Sequence, residues 1–259
     1  MGSSLGTDAP VKDVAEEARR IVRTADENSV TLRLIGGLAI RFHCHGQHSS
    51  HLREYHDIDV FGLGTESEKI SSVFRQLGYS PNLEYNLIYG GTRLQFVDEK
   101  TRKNVDVFLD RFRMDHTLDF RQRLQLDDQT IPITDLLLTK LQVVRLAEKD
   151  VKDIIAVLED HQIGRRDGRE ILNLDYMAER CSSDWGLYRT VSDNLDKMNQ
   201  FIQIIVPSSG EREELSAKLD AIGTSLKEAK KGIRWRTRDI IGRRMKWYEK
   251  VEVGEGEAF

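Results

Sequence analysis

Asp57 and Asp59 stand one residue apart in His56-Asp57-Ile58-Asp59-Val60-Phe61, a run that otherwise reads as a buried β-strand. Residues i and i+2 of a strand project from the same face, so the two carboxylates can converge on one cation while Ile58 and Val60 point into a core. Unpaired carboxylates are costly to bury, and a strand that keeps two of them implies a metal to hold. A third acid sits in a run of the same kind, Asn104-Val105-Asp106-Val107-Phe108-Leu109-Asp110. If that strand lies beside the first at the usual spacing of about 4.8 Å, Asp57, Asp59 and Asp106 face one pocket.

Upstream, Thr31-Leu32-Arg33-Leu34-Ile35 reads as a strand running into Gly36-Gly37, after which Leu38-Ala39-Ile40-Arg41-Phe42 has helical spacing. Paired glycines at a strand-to-helix turn leave room for a ligand against the backbone, and N–H groups at a helix start favour phosphate. A Gly-Gly turn, an Asp-x-Asp strand about twenty residues later and a lone Asp in a further apolar strand together resemble the polymerase-beta-like nucleotidyltransferase superfamily over roughly residues 30 to 160. The run Ile131-Pro132-Ile133-Thr134-Asp135-Leu136-Leu137-Leu138-Thr139-Lys140-Leu141, with Lys149, Asp150 and Asp153, looks like the closing helices of its small bacterial and phage-defence members. Those include toxin-type and antibiotic-modifying enzymes.

The resemblance implies transfer of a nucleoside monophosphate from a nucleoside triphosphate, ATP among them, to a hydroxyl, with pyrophosphate leaving. Such chemistry needs in-line positioning and neutralised charge, which two Mg²⁺ ions, or Mn²⁺ in their place, supply to the attacking and leaving oxygens. By the same resemblance Asp57 and Asp59 hold both ions. Asp106 completes the site of the ion that activates the acceptor hydroxyl and takes part in its deprotonation. Gly36 and Gly37 receive the triphosphate, and Lys140 contacts the phosphates. Many family members carry serine at the position of Gly37, a hydroxyl this chain lacks.

Each motif also has an ordinary reading. Asp-x-Asp often marks a turn or a solvated edge, and Gly-Gly often marks a simple turn. Asp110 shares the parity of Asp106 but lies at a strand end beside Arg111, where a cap or an ion pair is expected. Lys140 fits the polar face of a helix whose stripe is Leu137, Leu141, Val144 and Leu146. Glu148 and Lys152 read as a surface i, i+4 pair. His43, His45, His48, His51 and His56 fall with Cys44 in one stretch, which makes a zinc module a competitor to a loop closing over the nucleotide. The spacing fits no common finger pattern.

These residues need a sheet and helices to position them, and 259 residues with 39% hydrophobic content are ample for a core. The expected fold class is α+β: a nucleotidyltransferase-like mixed sheet flanked by helices over residues 30–163, preceded by an N-terminal helix (1–29) and followed by an all-helical region (164–259). The N-terminal helix spans 11–28, with Asp8 as cap, Pro10 near its first turn, and Val11, Val14, Ala18, Ile21 and Val22 at helical spacing. Thr65 and Glu68 suggest a capping box before a helix with Ile70, Val73, Phe74 and Leu77 as its stripe and Gly78 as its end. Tyr85–Tyr89 and Arg93–Val97 read as strands, and Asp98–Lys103 as the turn into the Asp106 strand. Strand signals stop near residue 165, at Gly164-Arg165-Arg166-Asp167-Gly168, and helices fill 169–205 and 211–250 around Pro207–Gly210.

A net charge of −4 argues against a wholesale polyanion binder, and Cys44 and Cys181, distant in sequence, imply no disulfide framework. No signal-peptide pattern and no apolar run long enough for a bilayer is present, so a cytoplasmic protein is expected. Lys227–Lys250 is basic and contains Trp235, Trp247 and Tyr248, a composition that suits an RNA or tRNA acceptor. Ile233, Ile240, Ile241 and Met245 in the same segment suit an amphipathic helix instead. The functional alternatives are a toxin or phage-defence enzyme, restrained in one version by an antitoxin protein, an antibiotic-modifying enzyme with the same chemistry, and a catalytically silent module that binds RNA or protein.

Overall fold

The computed structural model describes residues 14–44 and 55–249. The expected helix start at Asp8 and Pro10 and the histidines His45, His48 and His51 lie outside the described residues. Helix α1 (Val14–Glu27) buries Ala18, Ile21, Val22 and Ala25 along one stripe. Strand β1 (Leu32–Ile35) runs directly into α2 (Gly36–His43). Next come β2 (Ile58–Gly62), α3 (Ser67–Gln76), β3 (Tyr79–Pro81), α4 (Leu83–Tyr89), β4 (Arg93–Asp98) and β5 (Asn104–Leu109).

The architecture is α+β, with one five-stranded sheet in the order β1-β2-β5-β4-β3. Strands β2 and β5 are parallel, and the other neighbours are antiparallel. Leu34, Val60, Val107 and Leu94 form one register row across four strands, and all are buried. That face packs on helices, with Phe96 stacked on Phe74 of α3 at 4.2 Å between ring centroids. The adjacent row is Ile35, Asp59, Asp106 and Gln95, which the pleat turns to the opposite face. Two of the three candidate acids thus occupy one row of the sheet.

Beyond the sheet, β6 (Arg111–Arg113) and β7 (Thr117–Asp119) pair antiparallel, and α5 (Ile133–Leu141) and α6 (Glu148–Asp160) follow. A parallel pair, β8 (Gln162–Gly164) with β9 (Ile171–Asn173), leads into α7 (Leu174–Ser183), α8 (Trp185–Ile205), α9 (Ser209–Glu228) and α10 (Ile233–Ile241). Asn173, Asp184 and Ser208 cap α7, α8 and α9 by accepting the backbone N–H of Tyr176, Leu187 and Glu211. A single apolar cluster runs from Ala18 of α1 through the sheet to Leu226 of α9. No helix among the described residues is long and apolar enough to cross a membrane.

Three local expectations are corrected. Tyr85–Tyr89 is the helix α4, not a strand: Asn82 caps it through Tyr85 N–H, and β3 occupies the edge of β4 that a strand there would need. The Thr65–Glu68 capping box does not form, because a 3₁₀ turn (Gly64–Glu66) precedes α3 and Glu66 instead accepts the Thr31 N–H at 3.0 Å. Strands do not end at residue 165, since β9 lies beyond it. As expected, Gly78 follows α3 with a φ of +86°, a conformation that costs glycine little.

The C-terminal helices pack on α6 through charged groups as well as apolar ones. Burial first, then the carboxylates of Asp160 and Glu211, push Glu159 of α6 up to about 7, against the opposing pull of Lys218. The folded chain therefore holds this proton more tightly than the unfolded chain, whose glutamate titrates near 4.5. The stability contributed is complete below that value and is lost as pH rises through about 7. Thermal melts of Glu159→Gln beside the parent chain, at about pH 5 and about pH 8, should show a smaller loss of Tm at the higher pH in the variant.

Candidate active site

The sheet brings Asp59 and Asp106 together because β2 and β5 run parallel with these residues directly paired. Ile35, the last residue of β1, pairs with Asp59 from the other side, so Gly36 and the start of α2 stand beside the Asp59 carboxylate. A Cβ on Gly36 would lie 2.9 Å from Asp59 Oδ2, and the residue has a φ of +78°. Glycine is required here twice over, for the left-handed backbone and for the approach of the carboxylate. No side chain caps the start of α2, so its first N–H groups remain available to an anion. Gly37 is the second residue of that helix.

Asp57 differs from the sequence expectation. It precedes β2 rather than lying within it, and it is exposed, whereas Asp59 is half-buried and the Asp106 side chain is 13% exposed. The penalty of holding charge in the sheet thus falls on Asp59 and Asp106 rather than on Asp57.

Asp106 is held from β4. The Arg93 guanidinium lies 2.9 Å from its Oδ2, and the Gln95 side-chain amide donates to Oδ1 at 3.2 Å. Gln95 cannot present its oxygen instead, because Asn82 Nδ2 donates to Gln95 Oε1 at 2.7 Å. Asn86 of α4 brackets the Gln95 backbone, accepting its N–H at 2.7 Å and donating to its carbonyl at 3.2 Å. Arg93 lies over the Phe108 ring at 4.5 Å and the Tyr85 ring at 5.9 Å, and its Nε is buried without a hydrogen-bond partner. Burial works against the Arg93 charge, but Asp106, with smaller help from Tyr85 and Asp59, holds its pKa above the ordinary value.

Lys140 sits elsewhere in the network. Every residue of α5 is buried, and the Lys140 ammonium contacts Asp150 at 3.0 Å and Asp153 at 2.9 Å, both on α6. Burial again opposes the charge, and Asp153 and Asp150 keep the lysine pKa above its usual value. The Tyr55 hydroxyl adds a hydrogen bond to Asp153 at 3.2 Å. Asp110 is a cap: it has a φ of +61° and accepts the Gly64 N–H at 3.0 Å, while Arg111 pairs with Asp119. Glu148 and Lys152 form the expected i, i+4 pair.

Arg93 and Gln95 were missed by motif reading, although a signal was present. In Arg93-Leu94-Gln95-Phe96-Val97 the polar residues alternate with apolar ones, so both belong to the face of Asp106. The aromatics of the basic C-terminal segment are engaged within the fold. Trp235 donates to the Cys181 carbonyl and Trp247 to Thr190, while Arg238 lies over Trp185. The segment forms a helix, α10, as its spacing suggests, but α10 buries none of its residues, and Ile233 and Ile240 are more than four-fifths exposed.

No family model matches the chain, and no curated protein matches it. Among solved structures it is similar to a lincosamide antibiotic adenylyltransferase, LnuA, in a lincomycin-bound form, at 18% identity and a TM-score of 0.40, over 54% of this chain and 94% of that one. It is also similar to the antibiotic-resistance factor ANT(2'')-Ia at 13% identity and a TM-score of 0.33, over 82% of this chain and 94% of that one. Similarity at this level leaves the chemistry to be read from the side chains.

The Arg93–Asp106 contact generates a test that needs no substrate. Asp106→Asn should destabilise the chain by about 1–2 kcal/mol, because a mostly buried guanidinium loses its counter-charge. Arg93→Gln should cost less in the Asp106→Asn background than alone, with a coupling of at least about 0.5 kcal/mol in urea unfolding. Additive losses would mean that the two charges do not sense each other.

Proposed function

We propose that this chain is a metal-dependent nucleotidyltransferase that moves a nucleoside monophosphate from a nucleoside triphosphate to a hydroxyl acceptor. The observation that carries the proposal is the register of Asp59 against Asp106 beside Gly36, whose missing side chain leaves the approach to the Asp59 carboxylate open. A divalent ion fits this donor set, since Mg²⁺ and Mn²⁺ favour carboxylate oxygens. Asp57, Asp59 and Asp106 would hold it, and when bound it neutralises charge on the attacking and leaving oxygens.

The chain's own groups account for the rest. Backbone N–H groups of Gly36 and Gly37 at the start of α2 receive the triphosphate, favoured by the helix dipole. Asp106 accepts the proton of the acceptor hydroxyl, and Arg93 and Gln95 hold its carboxylate in place for that role. In this reading the Lys140 ammonium, which contacts Asp150 and Asp153, would turn its third N–H to a phosphate.

One observation favours a small-molecule acceptor with an apolar body over RNA or protein. Helix α4, tied through Asn82 and Asn86 to the strand that holds Asp106, exposes Leu83, Leu87 and Ile88 at 74%, 88% and 71%. The exposed basic residues of α10 support an RNA acceptor, but their neighbouring tryptophans are already engaged within the fold. An antitoxin partner belongs to the RNA version of the proposal.

Incubation of the purified chain with each α-labelled nucleoside triphosphate and Mg²⁺ or Mn²⁺ separates these acceptors when lincomycin, total RNA and the chain itself are offered in turn. The expected outcome is metal-dependent label transfer that falls at least about a hundredfold in a folded Asp57→Ala, Asp59→Ala variant, the loss of roughly 3 kcal/mol of charge stabilisation. Equal labelling by that variant rules the proposal out. Nucleotide binding without transfer to any acceptor would instead identify a silent binding module.

A further inference from the structure

Two buried histidines and a glutamate meet at the far end of α2, outside the acid site. His43 closes α2, His161 caps α6, and Glu170 precedes β9. One nitrogen of each, together with a Glu170 carboxylate oxygen, lies within 4.8 Å of the others. Hydrogen bonds decide which nitrogens these are. The Thr130 hydroxyl donates its proton to the Ile131 carbonyl at 2.8 Å, so its 2.6 Å contact with His43 requires Nε2–H to be the donor. His161 Nδ1 lies 2.8 Å from the Val157 carbonyl, which can only accept, so Nδ1 carries the proton.

In the neutral rings His43 Nδ1 and His161 Nε2 therefore carry lone pairs, and both face Glu170. His161 Nε2 is 3.0 Å from Glu170 Oε2, and His43 Nδ1 is 4.0 Å from Oε1. Two imidazole nitrogens and a carboxylate oxygen that converge within 4.8 Å are an arrangement that a cation between them would satisfy. A proton satisfies one nitrogen–oxygen contact, whereas a metal ion satisfies three. An imidazole held by an oxygen acceptor on its far nitrogen is also the outer-shell pattern that orients metal-bound histidine.

We propose that His43 Nδ1, His161 Nε2 and Glu170 form a structural site for a divalent transition metal of the zinc class, with the fourth position open to water. Two imidazoles and a carboxylate are a donor set that Zn²⁺ favours. The Glu170 side chain is 45% exposed and gives the ion a way in, while the histidine side chains are 5% and 0% exposed. Only Arg169, 4.0 Å from Glu170 and 67% exposed, competes for the carboxylate among the described cations. The ion would fasten the end of α2 to α6 and to the segment before β9. The site is independent of the proposed nucleotidyl transfer.

The test uses the full chain, freed of tag and stripped with a chelator, and Zn²⁺ as the probe. One equivalent should bind and raise Tm by about 5 °C or more at a hundredfold excess over Kd. Glu170→Gln should lower the Zn²⁺ affinity at least about tenfold without changing the Tm of the metal-free chain by more than about 2 °C. Glu170→Asp, which shortens the reach by one methylene, gives the same reading should the first variant fold poorly. Asp59→Asn should leave this affinity unchanged, which separates the site from the acids of the sheet. Co²⁺ should give visible d–d bands that Glu170→Gln abolishes. Binding that survives both Glu170 variants, or that vanishes in Asp59→Asn, or no uptake by the parent chain, overturns the proposal.

Discussion

The parallel pairing of β2 with β5 is the constraint on which the site depends. Like charges directly opposed on neighbouring strands are unfavourable, yet the register places Asp59 against Asp106. The apolar row beside them enforces this. Leu34, Val60, Val107 and Leu94 are buried against the helices, and a slip of one residue in β5 would turn Asp106 into that layer and Val107 out of it. Hydrophobic burial thereby holds two carboxylates in a proximity that they would not choose. Arg93 relieves part of the repulsion by pairing with Asp106.

The same register explains the neighbours of the acids. Because Ile35 pairs with Asp59, the residue that follows must leave the strand beside a carboxylate, and Gly36 does so in a conformation and a space that exclude a side chain. On the other side Gln95 pairs with Asp106, and its amide is set by Asn82 and Asn86. Helix α4 is thus a bracket for the acid row. Its apolar residues stay exposed because the helix is held by asparagine contacts to β4 and buries none of its own residues.

Legibility in the sequence followed the range of the interactions. The Asp59 and Asp106 strands, the Gly36 turn and Gly78 at the end of α3 were all readable, because alternation and glycine report on the residue's own backbone and face. Tyr85–Tyr89 was misread because Tyr85, Leu87 and Tyr89 alternate as a strand would, while the residue that decides the matter, Asn82, acts as a helix cap only if the chain turns there. Asp57 looked as buried as Asp59 because parity says which face a residue is on and not where the strand begins. For Lys140 the sequence supplied the charge but not its partners, which lie on the next helix. His43 lies more than a hundred residues before His161 and Glu170, and the three meet only through packing of α2, α6 and the segment before β9.

The two groups of buried charge differ in a way that bears on function. At α5 and α6 one lysine faces two aspartates, but the surplus negative charge is absorbed: Asp150 also accepts the Ala147 N–H at 3.2 Å at the start of α6, and Asp153 accepts the Tyr55 hydroxyl. That network reads as support for the fold. In the sheet, Asp106 pairs with Arg93 and Asp59 stands directly opposite it, the start of α2 lies beside them, and Asp57 precedes the strand and is exposed. Had stability alone shaped this row, apolar residues of similar volume would have served at lower cost. A charged row at a helix start, beside a glycine that clears the approach to Asp59, is what the proposed divalent ion and triphosphate would use, and that use would account for its retention.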